Sequence, residues 1–268
     1  MSATGIGASV KRKEDQRFLT GRGNYTHDID RPNQTYAYIL RSPMAHATLK
    51  TVDVAAAKAA PGVVAVFTGA DTAEIGGIPC GWGVNNKDGS PMNEPKHPVL
   101  AEGKVRHVGD PIAVVIAETD SIAQDAMELI DARYDSMPAV TDVYAAIEDG
   151  APQLYDEYPR NIAFNWVEGD HVSTNAAIAG AEAAGMELFD IDVVNNRVII
   201  NSMETRPMIA GPGEEEGSLD IWCGTQGPVG VAEQIADALG MARDLVRVRT
   251  GDVGGGFHGI QITSGLFH

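Results

Sequence analysis

The stretch Val246-Arg-Val-Arg-Thr-Gly-Asp-Val-Gly-Gly-Gly-Phe257 decides how this chain reads. Its opening residues alternate apolar and polar, the period of a strand with one covered face. The strand runs into three consecutive glycines, where the absence of a Cβ lets backbone N–H groups approach a bulky anionic ligand. Upstream stands Thr225-Gln-Gly-Pro228. Between the two segments Val231, Ile235, Ala238 and Leu239 form one face of a helix that Gly240 ends. Leu219-Asp-Ile-Trp-Cys223 reads as a further strand.

Gly254-x-Gly256-x-x-Gly259 matches the spacing of a dinucleotide fingerprint, and it follows a strand as that fingerprint requires. A βαβ unit would then need a helix, a second strand and an acidic residue about 20 positions on. Only Ile260 to His268 follow, so the dinucleotide reading is set aside.

Working outward, 268 residues at roughly one domain per 150 suggest two domains, each large enough for its own core. A hydrophobic content of 44% with 21% charged residues is that of a globular chain. The formal charge of -17 argues against a nucleic-acid backbone or an anionic lipid surface as principal partner. Cys80 and Cys223 are too few and too far apart for a disulfide framework or a four-ligand metal site, which suits a reducing, cytoplasmic setting. No stretch of about 20 apolar residues suggests a membrane span, and the N-terminus lacks the pattern of a secretory signal.

The pattern upstream is mixed α and β. Residues 1–35 are polar and Gly-rich and read as an extended arm, which needs something to lie against. Tyr36-Ala-Tyr-Ile-Leu-Arg41 and Val63-Val-Ala-Val-Phe67 are strand-like, with a short helix from Val54 to Ala59 between them. Pro111-Ile-Ala-Val-Val-Ile-Ala117 is an apolar run, hence a strand buried on both faces. A helix follows, with Ser121 and Gln124 as a capping box and a stripe of Ile122, Ala126, Leu129, Ile130 and the stem of Arg133. The passage from Glu148 to Pro159 has the composition of an interdomain connection. Residues 176–185 fit either a weak helix or a loop. Leu188 to Val194 and Arg197 to Ile200, split by Asn195-Asn196, predict a hairpin.

The seven histidines show no i, i+4 pair for a metal, no Gly-x-Ser-x-Gly elbow is present, and neither cysteine has the setting of a nucleophile. What remains is the pairing of Gln226 with the glycine loop. The run from Val10 to Ile29, then Arg41-Ser-Pro-Met-Ala-His-Ala47, Pro61-Gly-Val-Val-Ala-Val-Phe-Thr-Gly69 and Gly109-Asp-Pro-Ile-Ala-Val-Val115 belong to the same pattern as Val193-Val-Asn-Asn-Arg-Val198, Met203-Glu-Thr-Arg206, Thr225-Gln-Gly-Pro228 and Asp252-Val-Gly-Gly-Gly-Phe257. In order and spacing these resemble the molybdenum-binding large subunit of the xanthine dehydrogenase, aldehyde oxidase and aerobic carbon monoxide dehydrogenase family.

The resemblance implies an α+β chain: an arm at 1–19, an α/β hammerhead domain at 20–145, a link at 146–165, and the beginning of a molybdenum-cofactor-binding domain at 166–268. It implies a molybdopterin cofactor, in the cytosine dinucleotide form, that oxidises a carbon substrate with oxygen drawn from water. Electrons would leave through a 2Fe-2S small subunit and an FAD-binding medium subunit. The positions facing the cofactor are Gln226, whose amide would donate to the apical oxo ligand, and Gly255, Gly256, Phe257 and His258 of the glycine loop. His258 stands where the family usually has Gly.

Family subunits are much longer, so the general-base glutamate and most pterin contacts are expected in a C-terminal part outside these 268 residues. The chain is then the front of a truncated or split subunit that needs the remaining part for turnover. A rival reading is a non-catalytic module that docks the iron–sulfur or flavin partners.

Overall fold

The apolar run at 111–117 forms a strand buried or half-buried along its length. In the computed structural model, which describes residues 5–80, 83–195 and 201–255, it lies in the larger of two compact units. In chain order the elements are α1 (Asp15–Leu19), β1 (Tyr36–Arg41), β2 (Ala47–Asp53), α2 (Ala55–Ala59), β3 (Val63–Thr68), β4 (Lys104–Val105), β5 (Pro111–Ala117), α3 (Asp120–Glu128), β6 (Asp131–Ser136), α4 (Val143–Ala146), α5 (His171–Ala183), β7 (Met208–Pro212), β8 (Leu219–Cys223), α6 (Pro228–Leu239) and β9 (Val246–Arg249). Residues 37–199 make one unit; residues 1–36 with 200–268 make the other.

The 37–199 unit holds two three-stranded sheets, ordered β1-β5-β3 and β4-β2-β6. β5 sits in the centre of its sheet because both of its faces are apolar. Val66, Val115 and Ala117 pack against Ala57 of α2 and Ala123 and Ala126 of α3. Ile112 turns instead toward Ala47, Ala101 and Val105, a second small core. β2 pairs antiparallel with β6 from Ala47 opposite Ser136 to Asp53 opposite Asp131.

Two readings of this region, both at α3, are corrected, and the choice left open at 176–185 falls to a helix. The cap of α3 is Thr119, whose hydroxyl accepts from the Ile122 N–H at 3.2 Å, and Ser121 lies inside the helix. A capping residue needs extended backbone, and Thr119 has it, with φ -139° and ψ 157°. The helix stops at Glu128, Leu129 is half-exposed, and Arg133 belongs to β6, because pairing with β2 claims the backbone groups another helical turn would use. Residues 171–183 are a helix, started by the Asp170 carboxylate accepting from the Ser173 N–H at 2.9 Å, yet no residue of it is buried.

The expected hairpin is not seen in its first half. Residues 188–194 lie in no strand, and Leu188, Phe189, Ile191, Val193 and Val194 are exposed. Alternation becomes a strand only with a partner to pair with, and the second half, 197–200, lies outside the described residues. The passage before α5 is tied down by Asn161, whose amide donates to Ala146 O at 2.9 Å and Pro152 O at 3.0 Å and accepts from Leu154 N at 3.0 Å.

In the second unit β8 is flanked by β7, antiparallel, and β9, parallel. α6 links the two parallel strands and buries Val231, Ala232 and Ala236 against Ile221, Cys223 and Val246. Pro228 opens the helix, where its missing N–H costs nothing, and Gly240 closes it at φ 63°. The N-terminal arm is less extended than its composition suggests. Arg12 pairs with Asp15, α1 follows, and the Thr20 hydroxyl donates to Gln16 O at 2.7 Å, so local side chains supply a short helix. Among the described residues no helix is long and apolar enough to cross a membrane.

Candidate functional site

Because β8 and β9 are parallel neighbours, the loops that follow them emerge at the same edge of the sheet. Ligands of α/β sheets bind outside such carboxyl ends. Residues 224–227 leave β8 and residues 250–255 leave β9. The loops are tied through Thr225, which is buried: its N–H donates to the Thr250 hydroxyl at 3.4 Å, and that hydroxyl donates back to Thr225 O. The Thr225 hydroxyl also accepts from the Gly227 N–H at 3.1 Å. Gln226, between these anchors, is exposed, and its side-chain amide makes no hydrogen bond among the described residues.

The glycine bend is shaped from behind by the protein itself. A Cβ on Gly254 would stand 2.6 Å from Glu204 Cβ, and one on Gly255 would stand 2.4 Å from Ser202 Cβ. Neither glycine adopts the left-handed conformation, so it is close approach that requires them. The Gly254 N–H donates to Glu204 Oε2 at 2.7 Å. The first amide of the triple glycine is therefore committed to an internal carboxylate. Gly256, Phe257 and His258 lie outside the described residues.

The arm finds its support here. Arg17 donates both terminal nitrogens to the Asp252 carboxylate, Nη2 to Oδ1 at 2.6 Å. The Asn24 N–H donates to Asp252 Oδ2 at 2.7 Å, and the Asp252 N–H donates to Asn24 O at 3.1 Å. The Arg17 guanidinium, helped by the Asn24 amide, holds the Asp252 carboxyl down to about 2. Phe18 stacks on Tyr25 with ring centroids 6.3 Å apart, and Arg17 lies 4.7 Å above the Phe18 ring.

Sequence reasoning named Gln226 and the glycine loop but missed Glu204, Arg17 and Asp252 as partners. The available signal was indirect: three glycines imply that something stands close to them, and Glu204 sits in a short polar segment two residues past Ser202. Burial pushes the Cys223 thiol up, and the Glu204 charge adds to that, so Cys223 stays protonated and unreactive. Among the described residues no group of three His, Cys, Asp or Glu side chains could hold a metal ion. Among the described residues the edge presents the exposed side-chain amide of Gln226 beside a glycine bend whose Gly254 N–H is taken by Glu204.

Residues 20–138 match the family model described as aldehyde oxidase and xanthine dehydrogenase, a/b hammerhead domain, and residues 154–264 match the molybdopterin cofactor-binding domain. The chain belongs to the xanthine dehydrogenase and aldehyde oxidase family, which includes the carbon monoxide dehydrogenase large chains. It is 31% identical to the carbon monoxide dehydrogenase large chain of Afipia carboxidovorans, over 94% of this chain and 31% of that one. It is 34% identical to the nicotine 6-hydroxylase large subunit of Paenarthrobacter nicotinovorans, over 94% of this chain and 30% of that subunit. Among solved structures, quinoline 2-oxidoreductase from Pseudomonas putida 86 superposes with a TM-score of 0.73 at 36% identity, covering 94% of this chain and 31% of that one. The chain thus spans about 30% of the length of these two relatives.

Proposed function

We propose that this chain supplies the hammerhead domain and one wall of the molybdenum-cofactor site to a large subunit that oxidises a carbon substrate with oxygen from water. The observation that carries the reading is the joining of the Gln226 loop to the glycine bend at the carboxyl ends of β8 and β9, within the segment that matches a molybdopterin cofactor-binding domain. When bound, the cofactor would supply the two-electron redox chemistry.

The chain's own contribution is placement. Gln226 would donate a side-chain N–H to an anionic oxygen of the cofactor. Gly255, Gly256, Phe257 and His258 would bring backbone N–H groups to the pterin, held in the cytosine dinucleotide form. The arm would span 1–19, the hammerhead 20–145, the link 146–165 and the cofactor domain 166–268. A general base would come from the remaining part of the large subunit, and electrons would pass to a 2Fe-2S small subunit and an FAD-binding medium subunit in the cytoplasm.

Co-expression with the segment that corresponds to the rest of the relatives' length tests this. The expected result is a complex with one molybdenum and one pterin per chain, both reduced by Gln226→Ala. A complex that forms yet stays free of metal and pterin in every preparation would refute the reading and favour a docking module.

A further inference from the structure

Glu204 is 8% exposed, and among the described residues it forms no ion pair. Burying an unpaired carboxylate is costly unless hydrogen bonds replace its water. Here backbone amides from distant segments do so. Oε2 accepts from the Gly254 N–H at 2.7 Å, and Oε1 accepts from the Thr26 N–H at 3.3 Å. The Glu204 N–H in turn donates to Gly254 O at 3.1 Å, which makes the contact with Gly254 reciprocal. The Ser202 hydroxyl donates to Glu204 O at 2.6 Å and so holds the segment in place. Gly224, which opens the Gln226 loop, completes the enclosure: a Cβ there would stand 2.8 Å from Glu204 Oε2.

One carboxylate therefore meets the segment after the arm at Thr26, the start of the Gln226 loop at Gly224, and the glycine bend at Gly254. We propose that Glu204 is the positioning residue of this edge, fixing the bend against the Gln226 loop and fastening the segment around Thr26 to the same point. The proposal rests on the function proposed above for what the bend holds, and on geometry alone for how the bend is held. An acid is required because both oxygens face N–H donors. Glutamine would turn its own NH2 group toward one of them, and aspartate, a methylene shorter, would not reach both.

The test is residue-resolved amide exchange on the 268-residue chain. Glu204→Gln should accelerate exchange at Gly254 and Thr26 about 10- to 100-fold, the loss of one charge-assisted hydrogen bond. Amides within β8 and β9, such as Ile221 and Val248, should keep their wild-type rates. Unchanged exchange at both Gly254 and Thr26 would overturn the proposal, and so would uniform acceleration through the sheet, which marks a general stability residue. A second pair keeps the test independent of how Glu204→Gln folds. Gly255→Ala should loosen the bend by collision with Ser202, and adding Ser202→Gly should remove the collision and bring exchange at Gly254 back to that of Ser202→Gly alone, which itself lacks the hydroxyl bond to Glu204 O; a double variant that exchanges faster than Ser202→Gly alone counts against shaping of the bend by 202–204. Molybdenum content of the co-expressed complex separates the two claims. A metal-free wild-type complex together with a loosened bend in Glu204→Gln refutes the cofactor reading alone, whereas a loaded wild-type complex with unchanged exchange refutes the positioning role alone.

Discussion

Val246 opens β9 and is 1% exposed, packed among Ile221, Val231 and Ala232 in the core that keeps β8 and β9 side by side. Val246→Ala removes two methyl groups from that core. At about 0.8 kcal/mol per buried carbon the transfer loss is about 1.6 kcal/mol. The cavity left behind raises the total to roughly 2–3 kcal/mol, a factor of about 30–150 in the folding equilibrium of this unit. The neighbouring Arg247 points outward, so Arg247→Ala should stay within about 0.5 kcal/mol of wild type. Urea unfolding followed by Trp222 fluorescence reads this unit once Trp82 and Trp166 are replaced by Phe. Equal effects of the two substitutions would refute the assignment of this core as what holds the two loops in register.

Three further outcomes are expected. The Asp252 carboxyl is depressed to about 2 from an ordinary 3.8, so its contribution to arm docking is full above about pH 4 and is lost as pH falls through about 2; a carboxyl titration by NMR with its midpoint near 3.8, or an acid step in arm exchange that persists in Asp252→Asn, would contradict this. Gly240 and Gly230 should respond oppositely to alanine. Gly240 is left-handed with open space around it, so Gly240→Ala should cost about 1 kcal/mol of backbone strain, while Gly230, exposed within α6, should gain about 0.5–1 kcal/mol in thermal or urea unfolding. Phe189 and Val193 are 78% and 75% exposed beside other apolar side chains, so the purified chain should associate with rising concentration; the double substitution Phe189→Ser with Val193→Ser should reduce that association in light scattering.

Sequence legibility followed burial. Wherever a segment's apolar pattern was complete in itself, as at 36–41, 111–117, 219–223 and 228–239, the element formed where periodicity put it. The strand at 47–53 was not read, since Thr, Lys and Asp interrupt its pattern and it is defined by pairing with β4 and β6. The segment at 188–194 failed in the opposite sense, with a strong alternation and no partner strand among the described residues. Gln226 and the glycine bend were legible because their residue types are chemically specific. Asp252 and Glu204 were not, because a surface acid and a buried one look alike in a sequence of 37 acidic residues, and Arg17 was not, because its partner lies 235 positions away.

Local chemistry alone therefore determined that two loops, one with a glutamine and one with three glycines, would follow two strands. Only the fold decided that those strands run parallel and adjacent, that Arg17 would meet a carboxylate 235 positions away, and that Gly254 would spend its N–H on Glu204. The physical reason is range: periodicity and turn preference act over a few neighbours, whereas hydrogen bonds and close approach depend on which distant segments packing brings together.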